Sequence, residues 1–399
     1  MSPRVLGMKV AVAVHGRFHG FDLARGLHER GCLSQVATTY PVFAARRFLP
    51  RPIRLRTAPW LEAWRRLHGR VPFVPAPDPG VAEAFGRFAA ATLPGDADLL
   101  AGWSGATREA IPVAHGRGMR VVIERGSTHI LHQAQILETE YARFGLAAVP
   151  VPRAIIEREL EEYEDADAVA VPTRYAADTF LAHGVPRAKV HVNPYGIDPA
   201  RFPAPRPPSD GRRAPRILFV GRVGLRKGIP WLLRAFATLG RHAALEIVGP
   251  VENGMETVLA GEPTEGVAMA GPLAGEGLAR AYAGADIFCL PSIEDGFGLV
   301  LLEAMAAELP VVATDVTGGI ELVRPEREGF LVPPGDAPAL RDALSALVAD
   351  ADLRRRMGAA ARARVEEAFT WRHYRDRAIT AYGQIVERDD AAAPARSAS

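Results

Sequence analysis

Two acids, Glu294 and Asp295, stand just before Gly296-Phe297-Gly298, and a single further acid, Glu303, lies inside the apolar run 299–307. The run is apolar on all sides, so it reads as a buried helix. A carboxylate within such a helix is costly unless something satisfies it. The two glycines let backbone N–H groups at the helix start approach a ligand closely, which suits an anion or a sugar. Glu303 lies roughly 7.5 Å along the axis from Gly298 at ~1.5 Å per residue. One ligand can therefore touch the loop acids and Glu303 together. The structural alternative is a strand, a turn and a helix with one ion-paired core glutamate.

A second group is Gly221-Arg222-Val-Gly-Leu-Arg-Lys227-Gly228, between the apolar strand 216–220 and a helix with Pro230 in its first turn. Two cations flanking glycines at a strand-to-helix crossing, with helix N–H groups behind them, form a clamp for a diphosphate. A nucleoside diphosphate leaving group gains negative charge as its glycosidic bond breaks, and Arg222 and Lys227 can offset that charge. Surface cations on an ordinary turn are the alternative. A third group is the loop Glu124-Arg-Gly-Ser-Thr-His129-Ile-Leu-His132, at the carboxyl end of the apolar strand 119–123. Open α/β folds place their chemistry at such strand ends.

The elements that must hold these groups read as an α/β chain. The strand 8–14 runs into His15-Gly16-Arg-Phe-His-Gly20 and then a helical pattern that Gly31 closes. As a dinucleotide fingerprint this loop is weak, because the spacing is not G-x-G-x-x-G and the next strand carries no ribose acid. Further strands are expected at 98–103, 119–123, 167–172, 190–197, 216–220, 245–248, 267–271, 286–290, 310–314 and 329–332. Thr173 and Asp336 read as helix caps. Residues 157–164 read as an acidic, solvated helix surface. Asp96-Ala-Asp98 and Asp165-Ala-Asp167 resemble metal-binding triplets, but each directly precedes a strand, where acids commonly close a turn, so no metal ligand is assigned. Residues 203–215 are rich in proline and polar, and read as a linker. The expected division is a first domain at 1–202, a second at 216–370, a last helix at 371–387 and a small, polar, disordered tail at 388–399.

The totals narrow the class. The 399 residues favour two domains, and 48% hydrophobic with 24% charged residues are ordinary globular values. A net charge of +2 gives no bulk case for nucleic-acid binding. The two cysteines, Cys32 and Cys289, exclude a disulfide framework and a cysteine metal cluster, which fits a reducing cytoplasm. No apolar run reaches membrane-spanning length. Residues 46–70 differ in kind: eight arginines and one acid, Glu62, are interleaved with Phe48, Leu49, Trp60 and Trp64. Trp60, Leu61, Trp64 and Leu67 fall at helical spacing, a basic amphipathic stretch of the type that rests on anionic lipid. A solvated basic loop, or a patch for an anionic acceptor, is the alternative.

The segment 291–307 resembles the donor-sugar motif of retaining glycosyltransferase family 4, in which two glutamates are separated by seven residues and Gly-Phe-Gly follows the first. Here the first position is Asp295, with Glu294 just before it, so either carboxylate can fill the role. The segment 221–228 resembles the family's phosphate motif, and Gly318-Gly319 its helix start near the donor sugar. The likeness covers about 8–387 and is strongest over 216–336. It implies the GT-B architecture, two Rossmann-like α/β domains facing across a cleft, with the last helix returning to the first domain. It implies transfer of a sugar from a nucleotide sugar to a glycan, lipid-linked or small-molecule acceptor, with retention at the anomeric carbon and no metal or cofactor. On that basis Arg222 and Lys227 hold the diphosphate, and Glu303 accepts from the ribose diol. Glu294 or Asp295, with Gly296, Phe297, Gly298 and Leu299, binds the donor sugar. Gly16 faces the phosphates, and His129, with His132 and His15 in reserve, faces the reacting carbon. The base is contacted through backbone groups near 267–271, so its identity is not legible. The Asp295 departure keeps open a nucleotide-sugar-binding protein without turnover. An NAD-dependent enzyme is disfavoured by the missing dinucleotide fingerprint.

Overall fold

The computed structural model describes residues 7–67, 78–146, 151–202 and 213–387, with backbone alone for 65–67 and 78. The linker residues 203–212, the tail 388–399 and Arg70 lie outside the described residues. Two parallel sheets are present, as expected for two Rossmann-like domains. The first holds β1 (Val10–Val14), β2 (Leu33–Thr38), β3 (Leu55–Thr57), β4 (Leu99–Trp103), β5 (Arg120–Glu124), β6 (Ala168–Val171) and β7 (Val190–Val192), in the order β3-β2-β1-β4-β5-β6-β7. The second holds β8 (Arg216–Val220), β9 (Ala244–Val248), β10 (Val267–Gly271), β11 (Ile287–Leu290), β12 (Val311–Thr314) and β13 (Gly329–Val332), in the order β10-β9-β8-β11-β12-β13. The central strands are near-continuous apolar runs because helices cover both faces of a parallel sheet; every residue of β1, β4, β11 and β12 is buried.

In each sheet the strand order reverses beside the first strand, at β1 and at β8. Loops at the carboxyl ends of neighbouring strands diverge there and leave room for a ligand. All three groups of candidate residues follow such ends: Gly16 after β1, the 125–129 loop after β5, and the 221–228 and 291–298 loops after β8 and β11. Thr173 caps the helix after β6 by accepting from Ala176 N at 2.9 Å, and Asp336 does the same for Ala339 N at 2.8 Å.

The two Asp triplets sit at the other end of the first sheet. Asp98 accepts from Lys9 N at 2.7 Å, and Asp167 accepts from Val121 N at 2.8 Å while pairing with Arg120. Among the described residues, no group of three or more His, Cys, Asp or Glu side chains is disposed to hold a metal ion. No helix of the described residues is long and apolar enough to cross a membrane.

Two expectations change. The helix Arg153–Asp165 is not a solvated acidic surface: Glu159 and Glu162 are buried. Glu162 accepts backbone N–H bonds from Gly105, Thr107 and Arg108 at 2.5, 2.7 and 2.9 Å, supplying a turn that has no secondary-structure partners of its own. In the basic stretch, Leu61 is buried in the first domain's core and Trp64 packs against it, so the apolar stripe serves the fold. Trp60 from that stripe stays 58% exposed. The last helix, Trp371–Glu387, packs on the first domain, with Arg375 donating to Asp22 O at 3.1 Å and Tyr382 Oη to Glu124 at 2.6 Å.

Replacing Glu162 by Leu strands three backbone donors, each worth about 1–3 kcal/mol when left unsatisfied. Urea unfolding of Glu162→Leu is expected to show a loss of about 3 kcal/mol or more. A loss below about 1 kcal/mol would mean that the turn finds other partners.

Candidate active site

The loop after β11 is positioned by backbone contacts to the loop after β8. Ile293 N donates to Arg226 O at 2.9 Å, and Gly318 N donates to Phe297 O at 2.8 Å from the other side. Gly228 closes the β8 turn with φ +69°, and a Cβ there would stand 1.9 Å from Pro291 O, so only glycine fits. Gly298 (φ +70°) is the N-cap of the helix Leu299–Ala306, and Leu299 is 37% exposed at its first turn. This packing brings Lys227 against Asp295 in a short ion pair. Arg222, earlier in the same loop, is 65% exposed and lies 3.6 Å from Glu252.

The adjacent acids face in different directions. Glu294 is fully buried. Its carboxylate accepts from Ser127 Oγ at 2.6 Å, Thr128 Oγ1 at 2.8 Å and Gln133 Nε2 at 2.9 Å, all from the first domain. Arg226 Nε adds an ion pair at 2.8 Å, and Arg226 Nη2 also reaches Ser127 Oγ at 3.2 Å. Burial would raise this carboxyl; the Arg226 charge and the Ser127, Gln133 and Thr128 hydrogen bonds outweigh it and hold the group down at about 2. Asp295 is left with Lys227 and a 3.3 Å bond from Phe297 N. Of the two carboxylates, Glu294 is committed to joining the domains, and Asp295, 7% exposed, is paired with Lys227.

The first-domain side is organised by Arg125, which is buried and donates to Thr128 O, Glu159 and Gln133 at 3.1, 2.9 and 2.8 Å. That network presents Ser127 and Thr128 to Glu294. Gly296 meets this loop so closely that a Cβ would lie 2.1 Å from Gly126 O. Phe297 is buried edge-on against Tyr195, ring centroids 5.0 Å apart. Tyr195 lies 4.1 Å from the His19 ring, and His19 is 3.4 Å from Glu124, the acceptor for the last helix.

The remaining candidates are placed as follows. Glu303 accepts from Tyr282 Oη at 2.8 Å, and its burial pushes the carboxyl up. Gly16 has φ +104°, and its carbonyl accepts from Thr38 Oγ1 at 2.7 Å. His15 lies against Phe18 and Phe85. His129 is buried at the N-cap of helix Ile130–Arg143, stacked on His183 at 4.3 Å with Tyr163 and Phe180 beside it. Its ring belongs to the first domain's interior, and burial with the neighbouring His183 lowers its pKa to about 3. His132 is half-buried, and its Nε2 lies 2.9 Å from Tyr175 Oη. Both of these side chains feel the Glu294 charge.

Sequence reading passed over Arg226, Ser127, Thr128, Gln133 and Tyr175. The signal for Arg226 was its place next to Lys227, and for Ser127 and Thr128 their hydroxyls at the end of β5. Tyr175 follows the capping Thr173 after β6, which is likewise a strand end.

Two α/β domains that meet across a cleft, with cations and carboxylates at their strand ends, define the GT-B class of transferase fold. Comparison with known proteins bears on the particular family. The model described as Glycosyl transferases group 1 matches residues 214–350, and that of Glycosyltransferase Family 4 matches residues 18–201. A D-inositol 3-phosphate glycosyltransferase of Stackebrandtia nassauensis is 31% identical over 310 residues, 71% of this chain and 68% of that protein. An MMP alpha-(1->4)-mannosyltransferase of Mycolicibacterium hassiacum is 31% identical over 227 residues, covering 55% of this chain and 54% of that one. Among solved structures, sucrose-phosphate synthase from Thermosynechococcus elongatus superposes with a TM-score of 0.67 at 23% identity, covering 97% of this chain and all of that one. Anabaena HepE in complex with UDP gives 0.66 at 16% identity over 94% of this chain and all of that one. The chain belongs to glycosyltransferase family 4 and is a glycosyltransferase.

His129 gives a pH test. The folded protein keeps it neutral down to about pH 3, whereas the unfolded chain takes up that proton near 6.5. Unfolding therefore binds a proton in this window, and stability is lost as pH falls through it, by at most about 1.4 kcal/mol per pH unit. Between pH 6.5 and 5, above the carboxylate range, the wild type is expected to lose stability more steeply than His129→Asn, which keeps a capping side chain. Parallel slopes would show that His129 titrates normally.

Proposed function

We propose that the enzyme takes its sugar from a nucleotide diphosphate donor and transfers it with retention at the anomeric carbon and without a metal. The observation that carries this reading is the Lys227–Asp295 ion pair at the ends of β8 and β11, with the exposed Arg222 in the same loop as Lys227. A departing diphosphate needs positive charge, and Lys227, Arg222 and the N–H groups opening helix Leu299–Ala306 supply it. When the diphosphate takes Lys227, the Asp295 carboxylate is released to accept from donor-sugar hydroxyls. Asp295 is one methylene shorter than the family's glutamate, and its contact with Lys227 holds it at the same loop. Glu303, already accepting from Tyr282 Oη, has a second oxygen for a ribose hydroxyl. His132, held 2.9 Å from Tyr175 Oη and outside the first domain's core, is the histidine we assign in place of His129. Anabaena HepE, on the same fold, is solved in complex with UDP, which supports a nucleotide donor here.

The acceptor enters against the first domain and is a glycan, a lipid-linked sugar or a small molecule. A lipid-linked acceptor is favoured by one surface. Val42, Phe43 and Trp60 are exposed there at 49, 74 and 58%, among the exposed Arg47, Arg51, Arg54 and Arg56. The side chains of Arg65 and Arg66, part of the same basic stretch, lie outside the described residues. Apolar side chains set among cations suit an anionic lipid surface.

A thermal-shift panel of UDP, GDP, ADP and TDP and their common sugars, run without metal, tests the donor site. A ligand at ~100 times its dissociation constant adds about 2.7 kcal/mol of stability. One base series is expected to shift the wild type and not Lys227→Ala; no shift, or an equal shift in both, would remove the clamp. For the surface, the wild type is expected to sediment with anionic vesicles and Phe43→Ser/Trp60→Ser to stay in solution. A wild type that ignores the vesicles ends the lipid reading.

A further inference from the structure

A cavity of about 510 Å³ opens where the two domains join, and Arg222, Lys227, Asp295 and Glu303 are not among its lining residues. Its charged walls are Arg174 and Arg187 from the first domain, Glu321 and Arg364 from the second, and Arg377 from the returning helix. Four guanidinium groups thus face one carboxylate. Glu321 is committed to Arg174, accepting from its backbone N at 2.6 Å and its Nε at 3.0 Å. Arg377 donates to three neutral oxygens, Asn193 Oδ1, Ala368 O and Pro194 O, at 3.2, 3.1 and 2.6 Å. The neighbouring Asp376 is paired with Arg30. Arg364 lies over the Phe369 ring at 5.1 Å, reaches Glu321 O at 3.5 Å, and has a buried Nε with no hydrogen-bond partner. Arg187 is exposed at the rim, with Nη1 3.5 Å from Val190 O.

Cations gathered in a recess without counter-charges are unfavourable, and guanidinium groups match the oxygens of a phosphate in pairs. The pocket contains a donor without a hydrogen-bond partner, four guanidinium groups to one carboxylate, and room for a small molecule. We propose that this cavity is a second anion site, separate from the donor clamp, and that it takes a phosphate-class oxyanion of two or more negative charges. Its walls come from both domains, so occupancy favours the arrangement in which Glu294 meets the first domain. The site also adjoins the donor loop through Gly318, which donates to Phe297 O three residues before Glu321. An anion here therefore couples to donor affinity, and by reciprocity the donor couples to the anion.

Inorganic pyrophosphate is the probe, titrated by calorimetry at constant ionic strength into three proteins. Lys227→Ala, whose donor clamp is disabled, is expected to bind it. Lys227→Ala/Arg187→Ser, altered at an exposed rim position that the fold does not use, is expected to bind it at least tenfold more weakly. Lys227→Ala/Arg364→Gln is expected to lose it. Absence of binding to Lys227→Ala, or affinity unchanged by Arg187→Ser, overturns the proposal even where Arg364→Gln fails to fold. Failure of the nucleotide panel leaves this titration unaffected, so the two readings fall separately.

Discussion

One buried carboxylate, Glu294, holds the two domains in register. An isolated charge in that position would cost several kcal/mol. It is tolerated because Arg226 from its own domain and three side chains of the other domain converge on it. Those three are in turn arranged by Arg125, whose charge is met by Glu159 on the helix Arg153–Asp165. The acidic helix, the 125–128 loop and the 291–298 loop therefore form one network. The contact is directional, and it allows close approach only where Gly126 and Gly296 leave out side chains.

With Glu294 engaged by the first domain, the neighbouring Asp295 pairs with Lys227, and on the proposed function a diphosphate and a sugar hydroxyl would exchange for these partners. The backbone bonds from Ile293 to Arg226 and from Gly318 to Phe297 hold the loop from both sides, which limits how far either group can drift. The first domain contributes the His132–Tyr175 pair and the Tyr195 ring against Phe297. Through Tyr195, His19 and Glu124 the same site reaches the last helix, so the chain's end is tied to the loop that carries the donor chemistry.

Much of this was legible in the sequence, for local reasons. The apolar strands, the glycine turns after β8 and β11, the Thr173 and Asp336 caps and the two-domain α/β class all follow from neighbouring residues. The choice between Glu294 and Asp295 does not, because it depends on Ser127 and Thr128, far away in the chain. The same non-locality hid Glu159 and Glu162, whose partners are Arg125 and a turn near 105. His129 looked like a cleft residue from its place after β5. Its N-cap position turns the ring toward Tyr163 and Phe180, and His132, one turn later, is the half-buried one. The Leu61 and Trp64 stripe read as a surface feature because a stripe of apolar residues on a helix does not itself say whether lipid or the following helix, Asp78–Thr92, covers it.

The central claim is that of two adjacent acids Glu294 serves the structure and Asp295 serves the ligand. Thermal unfolding of the wild type, Glu294→Gln and Asp295→Asn without ligand tests it most directly. A glutamine at 294 can still accept from Ser127 and Thr128, but its NH2 would face the donors of Gln133 and Arg226. Breaking a buried ion pair costs about 3–5 kcal/mol. The account therefore expects Glu294→Gln to unfold several degrees lower and Asp295→Asn, whose partner Lys227 is partly exposed and can turn to water, to lose clearly less. If Glu294→Gln unfolds with the wild type while Asp295→Asn falls, the roles of the two acids are reversed and the account is wrong.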